Sequence, residues 1–164
     1  MIAYTFTGPG ARRPFRGDRW PPPGEWAAAG RGSRVDHLPV WIATELWLVE
    51  LEGSVHEVAT QLRADRGRLV RRIDAWDDAA AGEFARWCGR RILELSRAAD
   101  GDERLNAFRA DAETFAAAAD ANVAGWVATR AAAAADGEDG AARERARQAG
   151  WLQERLHLDP VPRV

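Results

Sequence analysis

Apolar and polar positions alternate with a period of two through much of the first half of the chain and recur every three or four residues through the second. Those periods mark half-buried strands and amphipathic helices respectively. Residues 2–6 set Ile2, Tyr4 and Phe6 on one side of a short strand that Gly8, Pro9 and Gly10 stop. In the most apolar run, residues 45–52, one face carries Trp47, Val49 and Leu51 and the other Leu46, Leu48, Glu50 and Glu52. Both faces are apolar at its start, which predicts a central strand covered on both sides there and exposed toward Glu50. Further strands are predicted over residues 26–29, 55–60 and 68–73, with turns at Gly30-Arg31-Gly32-Ser33 and Gly53-Ser54 and a connection over 61–67. In the last strand, strict alternation places Leu69, Arg71 and Ile73 on one face and Arg68, Val70 and Arg72 on the other. Asp36 reads as the N-cap of a single helical turn that holds Pro39 and turns Trp41 and Ile42 inward.

From Asp77, a good N-cap, the period changes. Phe84, Trp87, Cys88, Ile92 and Leu95 form one apolar stripe with Arg86, Arg90 and Glu94 outside it. A second helix is expected from Asp102 and Glu103, through Leu105, Phe108, Ala112, Phe115 and Ala119. The pattern resumes at Val123, Trp126 and Val127, with Asp120 and Asn122 as caps if it breaks near residue 120. Residues 136–140 read as a loop, and a last helix over 141–156 turns Ala142, Ala146, Ala149, Leu152 and Leu156 inward before Asp159 and Pro160 stop it. The fold class is α+β: a small, mainly antiparallel sheet from residues 1–76, then three or four antiparallel helices over 77–164, packed as one compact unit.

Composition narrows the function classes. A chain of 164 residues buries about two thirds of its unfolded surface and needs no covalent staple. Its single cysteine, Cys88, can form no intramolecular disulfide. The sequence shows neither a basic segment followed by an apolar one nor an apolar run of spanning length, so a soluble cytoplasmic protein without membrane association is expected. All 23 basic residues are arginine, yet the net charge of −2 makes nucleic acid an unexpected partner. Residues 11–24 carry Arg12, Arg13, Arg16, Arg19, Phe15 and Trp20 and end in three prolines and Gly24, an extended loop. Two readings apply to it: a cover pinned by Phe15 and Trp20, or a basic-aromatic surface for an anionic ligand.

No constellation compels a reaction. His37, His56 and His157 lack the helical spacing of a metal site, and no cofactor loop is present: Gly30-Arg31-Gly32 lacks the third glycine and the helix a dinucleotide requires. Cys88 on an apolar stripe reads as a small hydrophobe, its thiol pKa raised. The remaining candidates are Glu50, as a weak catalytic carboxylate, and a ligand-binding set of Tyr4, Arg16, Trp20, Arg68, Arg71 and Arg72. A strand carboxylate facing arginines can orient a sugar or phosphate, although such cross-strand pairs are more often structural.

Leu38-Pro39-Val40-Trp41, then the run from Glu45 to Gly53 with its Val49-Glu50-Leu51-Glu52-Gly53 end, then Gly67-Arg68-Leu69-Val70-Arg71-Arg72-Ile73 and Trp76, resemble an uncharacterised bacterial and phage domain-of-unknown-function family. The likeness covers roughly residues 1–98, and some relatives continue into an alanine-rich tail similar to residues 148–158. It implies a shared fold and no established activity. That family carries a Gly-x-His-x-Cys element before the Leu-Pro-x-Trp turn, where this chain has Arg31 and Ser33 as nearest counterparts.

The expected role is a soluble, non-catalytic binding or accessory module whose partner is a protein or a small anionic ligand. One alternative is an enzyme handling a nucleotide or nucleic acid, with a sheet similar to that of ADP-ribosyltransferases in which Tyr4, Arg16 and Glu50 line a cleft. Another is a helical scaffold for protein interactions, with an apolar stripe left exposed on its last helices.

Overall fold

The computed structural model describes residues 1–10, 19–98, 103–118 and 120–161. Its strands form two antiparallel three-stranded sheets and its helices follow them, so the α+β class is borne out. The chain divides into two compact units, one of residues 1–77 with 152–164 and one of residues 78–151.

In the first unit, β1 (Ile2–Thr7), β3 (Glu45–Glu52) and β6 (Arg66–Arg72) make one sheet in the order β1-β3-β6. The register pairs Tyr4 with Leu48 and Phe6 with Leu46 on one side of β3, and Leu48 with Arg71 and Glu50 with Arg68 on the other. Between Leu48 and Val49 the register of β6 slips by one residue, because Val70 stands in a β-bulge, 45% exposed. An extra residue interrupts strict alternation. It corrects the face assignment for β6: Leu69 turns to the face of Val49, while Arg68, Arg71 and Ile73 share the face of Glu50, Leu48 and Leu46.

The second sheet is β2 (Gly30–Gly32), β5 (Gln61–Ala64) and β4 (His56–Val58), in the order β2-β5-β4. Here the sequence expectations change places. The expected turn at Gly30-Arg31-Gly32 is a strand, the expected strand over 26–29 is reduced to one bridge from Ala27 to Gly67, and part of the expected connection over 61–67 is β5. The physical reason is close approach. A Cβ on Gly30 would stand 2.5 Å from the Arg66 carbonyl oxygen, and one on Gly32 would stand 2.9 Å from both Ala3 Cβ and Val49 Cγ1. Only glycine lets β2 run against the first sheet. Ala3, Val49, Leu51 and Leu69 then pack with Leu62 and Ala64 of the second sheet, Trp20 and Ala27 into one core. Val35–Val40 is a 3-10 turn that begins after Arg34, so Asp36 lies inside its first turn and is not its cap. Trp76 sits edge-to-face on Phe6 at 5.3 Å and donates its indole N–H to the Ala43 carbonyl at 3.0 Å.

In the second unit, α1 (Asp78–Ala98) buries Phe84, Cys88 and Ile92 and leaves Arg86, Arg90 and Glu94 outside, as its stripe predicts. Ser96 near its end donates to the Ile92 and Leu105 carbonyls, which ties it to α2 (Glu103–Ala118). Helix α3 (Ala121–Leu156) starts with Asp120, whose carboxylate accepts from the Val123 N–H at 3.0 Å. The expected loop over 136–140 is only a break at Asp136 and Gly137, where Gly137 takes φ of 63°. Beyond it Ala142 and Ala146 are exposed, and the inward residues are Ala141, Glu144, Gln148 and Ala149. Two polar side chains hold that face with partners for one end of each, while Glu144 Oε1 and Gln148 Oε1 are buried without a hydrogen bond among the described residues. Glu144 receives Arg91 and Arg147, and the Gln148 amide donates to the Gly125 carbonyl and the Thr129 hydroxyl. Trp126, expected inward, is 61% exposed with the Arg130 guanidinium over its ring at 5.7 Å. No helix among the described residues is long and apolar enough to cross a membrane.

Candidate functional site

The site grows from the end of α3. Its last residues belong to the first unit, where the helix ends at Leu156 and His157 takes a left-handed φ of 52°. The Leu158 N–H then bonds back to the Gln153 carbonyl at 3.0 Å, a Schellman closure with histidine where glycine is usual. This turns residues 158–161 along β1. The Tyr4 hydroxyl accepts the Asp159 N–H at 2.9 Å and donates to the Asp159 carbonyl at 3.3 Å, and Arg34 Nη1 donates to the Val161 carbonyl at 3.0 Å.

Between this segment and the sheet lies a cleft of about 340 Å³. Ile2, Leu48, Ile73, Leu156 and Leu158 give it apolar walls, and Arg71, Asp74, His157 and Asp159 supply its polar groups. The bulge at Val70 keeps Arg71 opposite Leu48 on this face. Arg71 is exposed and makes no ion pair or hydrogen bond among the described residues. Burial lifts the Tyr4 pKa above its ordinary value, against the lowering pull of the hydrogen bond from the Asp159 backbone and, least of all, of the Arg71 charge.

The other sequence candidates lie elsewhere. Glu50 accepts from Arg68 at 2.7 Å, and the neighbouring rung joins Glu52 and Arg66 at 2.6 Å. Both guanidiniums stack on Trp26, at 4.8 Å and 4.7 Å from its ring centre. Arg72 is on the opposite face, 4.0 Å from Glu45 and 3.8 Å from Asp74. Trp20 is buried in the core beneath that face, and Arg16 lies outside the described residues. Thus Tyr4 and Arg71 meet, Glu50 and Arg68 form a separate pair, and Arg72 and Trp20 join neither.

Arg31 lies in β2 opposite Arg63, and Ser33 is buried, its hydroxyl donating to the Thr60 carbonyl at 3.1 Å and its backbone paired with Tyr4. Cys88 is buried in the second unit, where burial and then the Glu144 charge push its thiol pKa far up. A thiol so placed is a poor nucleophile. Among the described residues no group of three His, Cys, Asp or Glu is arranged to hold a metal ion.

Sequence reasoning missed His157, Leu158 and Asp159. Asp159-Pro160 reads as a helix stop, and nothing in that pattern says which strand the chain then follows. A visible signal was the apolar Leu158 just after the helix, which is the usual partner of a Schellman closure. Comparison with protein-family models, curated proteins and solved structures gives no match for this chain.

Proposed function

We propose that the protein is a non-catalytic binding module that takes a small anionic ligand into the cleft around Arg71. The observation that carries this reading is the contrast among the polar groups. Arg71 faces a cleft of mixed lining without a partner among the described residues, whereas Glu50 is paired with Arg68 and the Tyr4 hydroxyl both donates and accepts. An unpaired guanidinium beside apolar walls suits an anion, because a charge-assisted bond gains strength where water is displaced. A carboxylate already bonded to arginine suits a general base poorly. The resemblance to the domain-of-unknown-function family and a cytoplasmic location belong to the same proposal.

The test is a thermal-shift panel of small anions on the wild type and Arg71→Gln. A ligand at 100 times its dissociation constant stabilises by about 2.7 kcal/mol, and the shift should fall to about half or less in Arg71→Gln while the unliganded midpoint stays put. An anion that stabilises both proteins equally would rule out this site.

One observation favours a second reading as a protein-interaction scaffold: the exposed Trp126 on α3, since exposed tryptophan and arginine are common anchors of interfaces. Sedimentation and pull-down with Trp126→Ala separate the two readings, because Arg71 ligands are indifferent to that change.

A further inference from the structure

Resting on the reading that the Arg71 cleft takes an anion, we infer that its ligand is a monoanionic amphiphile, one carboxylate on a compact apolar body, and not a nucleotide or other polyphosphate.

The cation supply sets the charge. The neighbouring arginines of β6 are directed elsewhere: Arg68 into Glu50, and Arg72 to the opposite face beside Glu45 and Asp74. One guanidinium matches one carboxylate, through two parallel N–H donors. A polyphosphate would bring several charges to a single arginine and set them against Asp159 on the rim, and against Asp74, which among the described residues only Arg72 at 3.8 Å offsets. Phosphate sites also draw on backbone N–H groups. Here the Leu158 N–H is bonded to Gln153, the Asp159 N–H to Tyr4, and Pro160 has none.

The walls set the body. Ile2 is 44% exposed and Leu48 half-buried, with the buried Ile73, Leu156 and Leu158 behind them, so an apolar ligand would cover surface that water now wets. At about 30 Å³ for each water-sized group, the cleft volume of about 340 Å³ holds on the order of ten such groups. An eight-carbon carboxylate is of that size, and its head reaches Arg71 while its chain lies on Ile2 and Leu48.

The experiment is a ¹H–¹⁵N titration of the full chain with octanoate, octan-1-ol, octylamine and pyrophosphate, following the amides of Tyr4, Leu158 and Asp159 and the Arg71 Nε–H. Octanoate should shift all four, octan-1-ol should bind at least tenfold more weakly, and octylamine and pyrophosphate should leave them unmoved. Arg71→Gln should weaken octanoate by roughly ten- to a hundredfold, the range of a charge-assisted bond, and Arg71→Lys should recover part of it. Unchanged circular dichroism in both variants confirms that the fold is intact. If pyrophosphate shifts these resonances through Arg71 and octanoate does not, the ligand class is wrong and the anion-binding reading stands. If neither anion moves them, both fall.

Discussion

The two faces of the β1-β3-β6 sheet are made by the same residues in alternation and end in opposite conditions. The face of Ala3, Val49, Leu51 and Leu69 is sealed by the second sheet, which glycine at residues 30, 32 and 67 brings into backbone contact. The other face grades along the strands. It is closed at Phe6, Leu46 and Trp76, opens into the cleft at Tyr4, Leu48 and Arg71, and ends in the charged ladder of Glu50, Arg68, Glu52 and Arg66 on Trp26. The difference teaches where function can reside. A face held by interlocked backbone tolerates no new atom, while a face covered by one returning segment keeps room for a ligand.

Substitutions on each face sharpen that contrast. The largest loss is expected from Gly30→Ala, because the atom it meets is a backbone oxygen that cannot step aside; denaturant unfolding should show a cost of about 3 kcal/mol, the upper end for overpacking. Tyr4→Phe removes the acceptor of the Asp159 N–H and should cost about 1–2 kcal/mol, with faster hydrogen exchange at Leu158 and Asp159. His157→Gly should stabilise by about 1 kcal/mol, since glycine takes the left-handed cap without strain. Glu50→Gln breaks an ion pair whose carboxylate is 33% exposed and should cost under about 1 kcal/mol.

Alkaline pH acts on both units. The Tyr4 and Cys88 pKa values are raised by folding, so the protonated forms are the ones the native state favours. Their contribution is complete below the unfolded values, about 8.5 for the thiol and about 10 for the phenol, and is lost as pH climbs above them. Unfolding midpoints should therefore fall from about pH 8.5 upward, less steeply in Tyr4→Phe. Native Cys88 should resist alkylation at pH 8 until denaturant is added.

Much of the local structure was legible. β1 and β3 follow the alternation of Ile2, Tyr4 and Phe6 and the two-sided apolar start at Leu46 and Trp47, and α1 follows its stripe from Phe84 to Ile92. Legibility failed where the period was broken or carried no contrast. A single bulge residue, Val70, moved Leu69 and Arg71 to different faces, and a strand of glycine, Gly30–Gly32, looks like a turn because its reason lies in the neighbouring sheet. Alanine is too weak a marker to orient the last helix, where buried Glu144 and Gln148 chose the face. The site was half legible. Tyr4 and Arg71 are strand residues that the sequence could nominate, but the cleft exists only because residues 158–161 return to β1, a tertiary event with no local period.

The most direct measurement is calorimetric titration of octanoate into three proteins, the wild type, Arg71→Gln and Glu50→Gln. The cleft around Arg71 predicts wild-type affinity in Glu50→Gln and roughly ten- to a hundredfold weaker binding in Arg71→Gln. Binding that survives Arg71→Gln and disappears in Glu50→Gln would contradict it, and would move the functional site to the paired ladder at the other end of the face.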